Sequence, residues 1–586
     1  MHIHALRRKA TVLGFVFAMT VPTALQASNA YVIRNLVSDI PDLADFTDPN
    51  LKGAWGIAES SKSPFWISDA SSGVSTLYGS AGSPIPLVVT VPAAKAGTPG
   101  IPTGIVFNGT TGFTVAAGDP ASFIFATLDG TISGWNSTAN KSTAIVMVDN
   151  SGKGAVYTGL AMGSVNSTNY LYAANLSAGT IDVFDSTFKP ITFATPFTDS
   201  NIPAGYAPFN IQNIGGNLYV TYALQNAGKN FAMPGAGNGY VDIFSPGGAL
   251  MQHLIAGGSL NAPWGIAIAP ANFGDYANDL LVANFGDGMI NVFNPTTGAS
   301  VATLNDVYGS PISVPNLWAL QPGNGASGGD ANAIYFTSGL PGPDSGQHGL
   351  FGRLQAAPSL TAANVLNGAS FLPNLAPNTF VTITGANLSG TTRSFDSEDV
   401  VAGVLPTDID SVSVTVNGTR AFVSYVSPTQ LNFLMPVNTP TGPVTVETFN
   451  FGLTSNSITV QVDAVAPAFF TQSDGKHILA FHGNGTPVNT SSPATPGETV
   501  VTYATGFGPT NPAAPNGMVI TTPLPLATTP TVTVGGSAAQ VIYSDLTFAG
   551  VYQINITIPT SASSGDQAVV AQASSVSSPS TLITVQ

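Results

Sequence analysis

The chain has 586 residues, of which 63 are Gly and 44 are Pro; only 8% are charged, none is Cys, and 15 basic residues stand against 30 acidic ones. So low a charge excludes long solvated helices and coiled coils, and 44% hydrophobic content excludes a disordered chain. The acidic balance offers nothing to a phosphate backbone, so no nucleic-acid partner is expected, and the absence of Cys removes disulfides, thiolate metal sites and Cys nucleophiles together. High Gly and Pro with abundant Thr, Val and Ser predict many short strands and turns, hence an all-β protein.

At the N-terminus, Arg7, Arg8 and Lys9 precede an apolar run from Ala10 to Val21, and Pro22, Ala24, Ala27, Ser28 and Ala30 provide small residues at a cleavage region. This is the pattern of a secretory signal peptide over 1–30, cut near Ala27 or Ala30. The run is too short for the ~20 residues that cross a bilayer, so no membrane span is expected. Removing the leader takes three basic residues and no acidic ones, leaving 12 against 30. Export without Cys suits a bacterial protein that is secreted, periplasmic or held at the cell surface.

From residue 31 to 356 a short motif of the form Pro-x-Gly-Ile-Ala recurs six times. Its copies are Ala54-Trp55-Gly56-Ile57-Ala58, Pro102-Thr103-Gly104-Ile105-Val106, Tyr157-Thr158-Gly159-Leu160-Ala161, Pro208-Phe209-Asn210-Ile211, Pro263-Trp264-Gly265-Ile266-Ala267 and Pro315-Asn316-Leu317-Trp318-Ala319. A strand, a Gly turn and a further strand follow each copy, as in Leu280-Leu281-Val282-Ala283-Asn284 leading to Gly288 and Ile290-Asn291-Val292-Phe293. Six copies of a four-strand unit predict a six-bladed β-propeller. Small residues belong on the inner strands, where blades converge on a narrow axis, and bulkier ones farther out. Tyr31-Val32-Ile33-Arg34-Asn35-Leu36-Val37 is available to pair beside His348–Leu354 and close the ring, removing its edges.

These motifs resemble NHL-type propellers. In Asp48-Pro49-Asn50-Leu51, Gly237-Asn238-Gly239-Tyr240-Val241-Asp242 and His348-Gly349-Leu350-Phe351-Gly352 the chain resembles an uncharacterised family of bacterial secreted propeller proteins. The resemblance implies an acidic, His-containing loop where this chain reads Gln225 to Pro234, QNAGKNFAMP; a metal site there in relatives is expected to be lost here.

Beyond Pro358 the composition shifts to Thr, Val and Ser, and no Trp follows Trp318. Gln430-Leu431-Asn432-Phe433-Leu434-Met435-Pro436 aligns with Gln553-Ile554-Asn555-Ile556-Thr557-Ile558-Pro559, and Val414-Thr415-Val416-Asn417-Gly418 aligns with Val532-Thr533-Val534-Gly535-Gly536. Alternating strands with such turns predict two immunoglobulin/TIG-like β-sandwiches, over 357–466 and 467–586. Through Asn367-Gly368-Ala369-Ser370-Phe371 and Tyr503-Ala504-Thr505-Gly506-Phe507-Gly508-Pro509 the pair resembles an uncharacterised C-terminal family of Solibacter-type secreted proteins, which implies an accessory module and no reaction.

Few residues carry chemistry. Gly325-Ala326-Ser327-Gly328-Gly329 fits G-x-S-x-G, but in a Gly-rich loop and not at a strand-to-helix elbow. His348 with Asp344 is the one close His and carboxylate pair in the propeller, suited to proton transfer only if both reach the axis. Asp39, Asp42, Asp45 and Asp48 form an acidic run able to offer oxygens to calcium, but without a Ca-loop pattern; otherwise no cofactor is expected.

The loops around one axial mouth are expected to bring together Trp55, Thr103, Thr158, Phe209, Trp264 and Asn316 from the inner strands. The ends of the second strands would add Asp69, Thr127, Asn175, Tyr222, Asn284 and Ser338. Aromatic rings beside amides and hydroxyls suit a neutral polar ligand such as a sugar; alternatively the rings plug the channel and the Asp and Asn residues cap turns. The sequence thus reads as an exported, monomeric binding or scaffold protein. Its axial face would recognise an extracellular glycan, polymer or protein, with the sandwiches as spacer or surface-association units. The alternative is an extracellular propeller lyase or hydrolase using His348 and axial carboxylates.

Overall fold

The computed structural model describes residues 30–306, 308–341, 347–450 and 452–586. The leader and Asp344 lie outside these residues. The described residues are almost entirely strands and turns, with two single-turn 3-10 segments, Ser151–Lys153 and Gly274–Tyr276. No helix among them is long and apolar enough to cross a membrane.

The described residues up to Ala356 form one compact unit. It holds six sheets of four or five strands, five of them antiparallel meanders and the sixth completed by the N-terminal strand, besides a short two-stranded sheet. The inner strands are Ala54–Ala58, Pro102–Phe107, Tyr157–Val165, Tyr206–Ile214, Pro263–Ile268 and Leu317–Pro322. They stand side by side around an axis so closely that several glycines have no room for a side chain. A Cβ on Gly56 would meet the Thr103 carbonyl oxygen at 2.2 Å, one on Gly104 the Leu160 nitrogen at 2.5 Å, and one on Gly265 the Trp318 carbonyl oxygen at 2.3 Å. Hydrogen bonds also cross between blades. Asn210 Nδ2 donates to the Trp264 carbonyl at 2.9 Å, and Thr337 Oγ1 to the Trp55 carbonyl.

The sixth sheet closes the ring in the expected way. Tyr31–Ser38 pairs antiparallel with Leu350–Ala356, with Tyr31 opposite Ala356 and Ser38 opposite Leu350. Aromatic side chains fill the wedges between sheets, as where Trp66 stacks on Phe123 at 4.1 Å and leans on Trp135 at 4.8 Å.

The described residues from Ala357 to Gln586 form the other unit. In its first half a sheet including Ser359–Asn367, Phe380–Ala386, Gln430–Leu434 and Phe422–Val426 faces one built on Val412–Val416, Gly442–Asn450 and Ile458–Val462. Val381, Ile383, Leu431 and Phe433 meet Val412, Val414, Val444 and Val460 between the sheets, which is the alternating inward pattern of a sandwich. In the second half Ser537–Phe548 pairs with Val551–Thr557 and also with Thr531–Val534, so one long strand turns the corner between the two sheets. The halves share side chains: Phe380 packs with Phe548, Tyr503 and Val551, and its backbone N–H donates to Thr505 Oγ1 at 3.1 Å.

Candidate functional site

Strand register fixes which side chains reach the axis. In each of the first five blades the first residue of the repeat motif pairs with a residue at or near the end of the second strand: Ala54 with Asp69, Pro102 with Thr127, Tyr157 with Asn175, Pro208 with Tyr222, and Pro263 with Asn284. In the sixth blade Leu317 pairs with Ser338, so Leu317 holds that first place and Trp318 the second. This corrects the expected position of Asn316 by two residues. Asn316 has a left-handed φ of 51° in the entry loop and donates through Nδ2 to the Gly339 carbonyl at 2.7 Å, away from the converging ring.

The second motif positions are therefore Trp55, Thr103, Thr158, Phe209, Trp264 and Trp318, all buried. Trp55 and Trp318 stack with ring centroids 3.6 Å apart, and Trp264 stands edge-on to both, at 6.5 and 6.0 Å. Phe209 tilts against Trp318 at 5.8 Å. Two loop residues cover this cluster, Phe285 stacking on Trp318 at 4.4 Å and Phe231 meeting Trp55 edge-on at 6.2 Å. The QNAGKNFAMP loop is what carries Phe231 over the axis. The ring faces are occupied by other rings of the same chain, and the axial mouth is closed by its own aromatics. Thr103 and Thr158 face neighbouring backbone; Thr103 Oγ1 donates to the Tyr157 carbonyl at 2.7 Å, and the Thr158 carbonyl accepts Trp264 Nε1 at 2.9 Å.

The residues at the ends of the second strands latch loops. Asn175 accepts the Val156 N–H at 3.2 Å and donates to Asp182 at 3.0 Å. Asn284 accepts the Asn261 N–H at 3.0 Å and donates to the Ser259 carbonyl at 2.8 Å. Thr127 bonds Thr131 at 2.8 Å, and Ser338 donates to the Pro315 carbonyl at 2.5 Å. Asp69 is fully buried and accepts from Thr76 Oγ1 at 2.8 Å. Its carboxyl is held well above the usual carboxylate range, first by desolvation, against the opposing hydrogen bond from Thr76. These polar side chains fasten the blade rim, each on a separate partner.

Between the inner strands lies a small cavity whose polar lining is Asn210, Gln212 and Gln321. Glu59, just past its inner strand, has a carboxyl pushed up to about 8 by burial, with a smaller opposing hydrogen bond from Gln321.

His348 meets a carboxylate from far along the chain. Its Nδ1 lies 2.7 Å from Asp39 Oδ2, while Asp39 Oδ1 accepts the Gly349 N–H at 2.9 Å, so the pair clasps the closing strand to the last blade. The rest of the acidic run is dispersed: Asp45 pairs with Arg34 at 2.7 Å, and Asp48 accepts from Tyr78 at 2.9 Å and from Asn50. It gathers no calcium-like shell among the described residues.

One group of metal-ligating side chains does converge, and nothing in the sequence analysis singled it out. Asp199 lies in the connector between Pro190–Ile191 and Tyr206–Ile214; Asp242 and His253 sit opposite each other on the two outer strands of the fourth blade. Their ligand atoms lie within 4.8 Å of one another. Desolvation raises the Asp242 carboxyl to about 6, partly offset by its hydrogen bond to His253. The Tyr222 hydroxyl lies beside it, which places that expected ligand residue on the flank of this cluster. Only the facing of Asp242 and His253 across a hairpin was accessible to strand pairing; Asp199 comes from a connector without a regular pattern.

Fold and site together define a β-propeller protein whose axial mouth is plugged by aromatics, followed by immunoglobulin-like sandwiches. Residues 370–462 match the IPT/TIG domain family. The uncharacterized protein R648 of Acanthamoeba polyphaga mimivirus is 32% identical over 323 residues, covering 53% of this chain and 78% of that protein. The uncharacterized protein L690 of the same virus is 29% identical over 339 residues, 56% of this chain and 87% of that protein. The chain belongs to the family of R648. Among solved structures, a streptogramin B lyase shows 14% identity and a TM-score of 0.34 over 57% of this chain and 99% of its own. A glucose dehydrogenase shows 11% identity and a TM-score of 0.36 over 55% and 98%.

Proposed function

We propose that the protein is an exported binding scaffold whose propeller recognises an extracellular macromolecule with the rim of its plugged axial face, the sandwiches serving as spacer or surface-association units. The observation that carries this reading is the mutual stacking of Trp55, Trp264 and Trp318 under Phe231 and Phe285. A mouth filled in this way offers a surface and no chamber for a small substrate, so contact falls to the surrounding loops. Two of these present large apolar side chains to solvent, Ile101 at 44% exposure and Met233 at 46%. Exposed apolar side chains beside polar loops are what a partner surface uses. The alternative reading as a lyase or hydrolase would use His348 as base through Nε2, with Nδ1 held by Asp39 beside the closing strand.

The test uses the full chain against a printed glycan array and immobilised extracellular polymers and proteins, with Ile101→Glu plus Met233→Glu as the variant. Retained binding to one class, weakened at least tenfold by the double substitution with the thermal transition unchanged, supports the reading. Hydrolytic or eliminative turnover that disappears in His348→Ala overturns it.

A further inference from the structure

Asp199, Asp242 and His253 pose a charge problem that the chain itself does not solve. His253 Nδ1 lies 2.7 Å from Asp199 Oδ2 and 2.8 Å from Asp242 Oδ1. A single ring nitrogen carries at most one hydrogen, and one hydrogen cannot point well at two carboxylates. Both acids are sequestered, the Asp199 side chain at 1% exposure and that of Asp242 at 0%. Asp199 Oδ2, the oxygen aimed at the imidazole, is buried without a well-formed hydrogen bond, whereas the Asp242 carboxyl also has the Tyr222 hydroxyl beside it. Among the described residues no Lys or Arg pairs with either carboxylate. Two buried carboxylates facing one imidazole edge are strongly unfavourable unless a proton or a further cation sits among them.

We infer that Asp199, Asp242 and His253 form a binding site for a divalent first-row transition-metal ion, with Zn²⁺ and Mn²⁺ the fitting species, that fastens the connector carrying Asp199 to the outer strands of the fourth blade. The donor set is one imidazole and two carboxylates, a mixture suited to these ions and not to calcium, which takes six to eight oxygens. Around such an ion, with bonds of ~2.1 Å, ligand atoms at right angles lie ~3.0 Å apart, against ~3.4 Å in a tetrahedron. The observed 2.7 and 2.8 Å need to open by only a few tenths of an ångström for the first arrangement.

The supporting contacts have the form metal ligands require. Asp199 Oδ1 accepts both the Asn201 N–H and Asn201 Nδ2 at 2.8 Å, which turns Oδ2 toward the site. His253 is positioned directly opposite Asp242 by strand pairing, and its side chain retains 24% exposure, leaving an entry path and room for water as further ligands. Nδ1 binds as the neutral ring's lone pair, with the ring hydrogen on Nε2.

The experiment uses the full chain, stripped with a chelator and titrated calorimetrically with Zn²⁺, Mn²⁺ and Ca²⁺ separately. The expected result is one Zn²⁺ or Mn²⁺ per chain, no comparable Ca²⁺ binding, and an X-ray absorption shell of one nitrogen with oxygens. His253→Ala and Asp199→Asn are expected to weaken binding at least 100-fold with circular dichroism unchanged; both side chains lie outside the blade cores, so these variants carry the test even if Asp242→Asn fails to fold. His477→Ala and His482→Ala, at the acid-paired histidines of the second sandwich, are expected to leave this binding intact. Absence of stoichiometric Zn²⁺ or Mn²⁺, or equal affinity in His253→Ala and Asp199→Asn, overturns the inference.

Discussion

The indole rings of Trp55 and Trp318 stack at 3.6 Å with their planes 16° apart, joining the first and last blades across the axis. Both lie at 3–4% exposure, so the contact is part of the propeller's core and not a half-built pocket. Trp318→Ala is expected to cost about 3–5 kcal/mol, in the range for deleting a buried large aromatic, and Asn316→Ala much less. Denaturant unfolding of the two variants checks this; equal costs would return Asn316 to the axial ring.

His348 and Asp39 clasp the ring closure, with side chains only 14% and 2% exposed. Breaking the pair leaves a sequestered charge without its counterpart, so His348→Ala and Asp39→Asn should each destabilise the propeller by about 3–5 kcal/mol. The double variant should cost clearly less than the sum, since the contact can be lost only once. A thermodynamic cycle from urea unfolding gives the coupling, and additive costs would show that the clasp does not hold the ring.

The inner strands leave no room at Gly265, where a Cβ would sit 2.3 Å from the Trp318 carbonyl oxygen. Gly265→Ala must push two blades apart, at about 1–3 kcal/mol or more. Gly152 is the control, because a Cβ there meets nothing within 4 Å and its backbone φ is not left-handed. Gly152→Ala should leave the melting temperature unchanged or slightly raised. The comparison needs only thermal melts.

Glu59 sets a pH dependence of the propeller. Its folded-state pKa of about 8 lies above the ordinary 4.5, so the folded chain binds the proton more tightly than the unfolded chain. Stability from this group is fully present below about pH 4.5 and is lost as pH rises through about 8. Glu59→Gln should flatten the curve over that window. All five Trp lie at or before Trp318, so Trp fluorescence reports unfolding of the propeller alone. A slope unchanged in Glu59→Gln would remove this residue as its source.

Much of the fold was legible because the repeat is written in local terms: a small residue where inner strands crowd, an aromatic-aliphatic second strand and a Gly turn. The closing strand was legible for the same reason, since Tyr31–Ser38 has no other partner in the pattern. The sixth blade misled at Pro315-Asn316, which mimics the start of the motif but belongs to the entry loop, leaving Trp318 in the position shared by Trp55 and Trp264. Sequence showed which residue types gather at the mouth; it did not show that their faces are used by one another, because stacking depends on distances between blades. Asp39, which meets His348 Nδ1, is 309 residues away and reaches it only on closure, so no local pattern pointed to it. Asp199 lay beyond reach for a similar reason, in a connector that no periodicity constrains.

The pairing of Tyr31–Ser38 with Leu350–Ala356 also dictates an order in time. The first strand made is among the last to find its place, since its partner leaves the ribosome after all the intervening blades. At ~5–20 residues per second that wait is roughly 15 s to 1 min, during which the first strand and the growing end of the array both present open edges. Whatever guards those edges during synthesis acts on Tyr31–Ser38 first and longest, and the propeller becomes a closed ring in one late step.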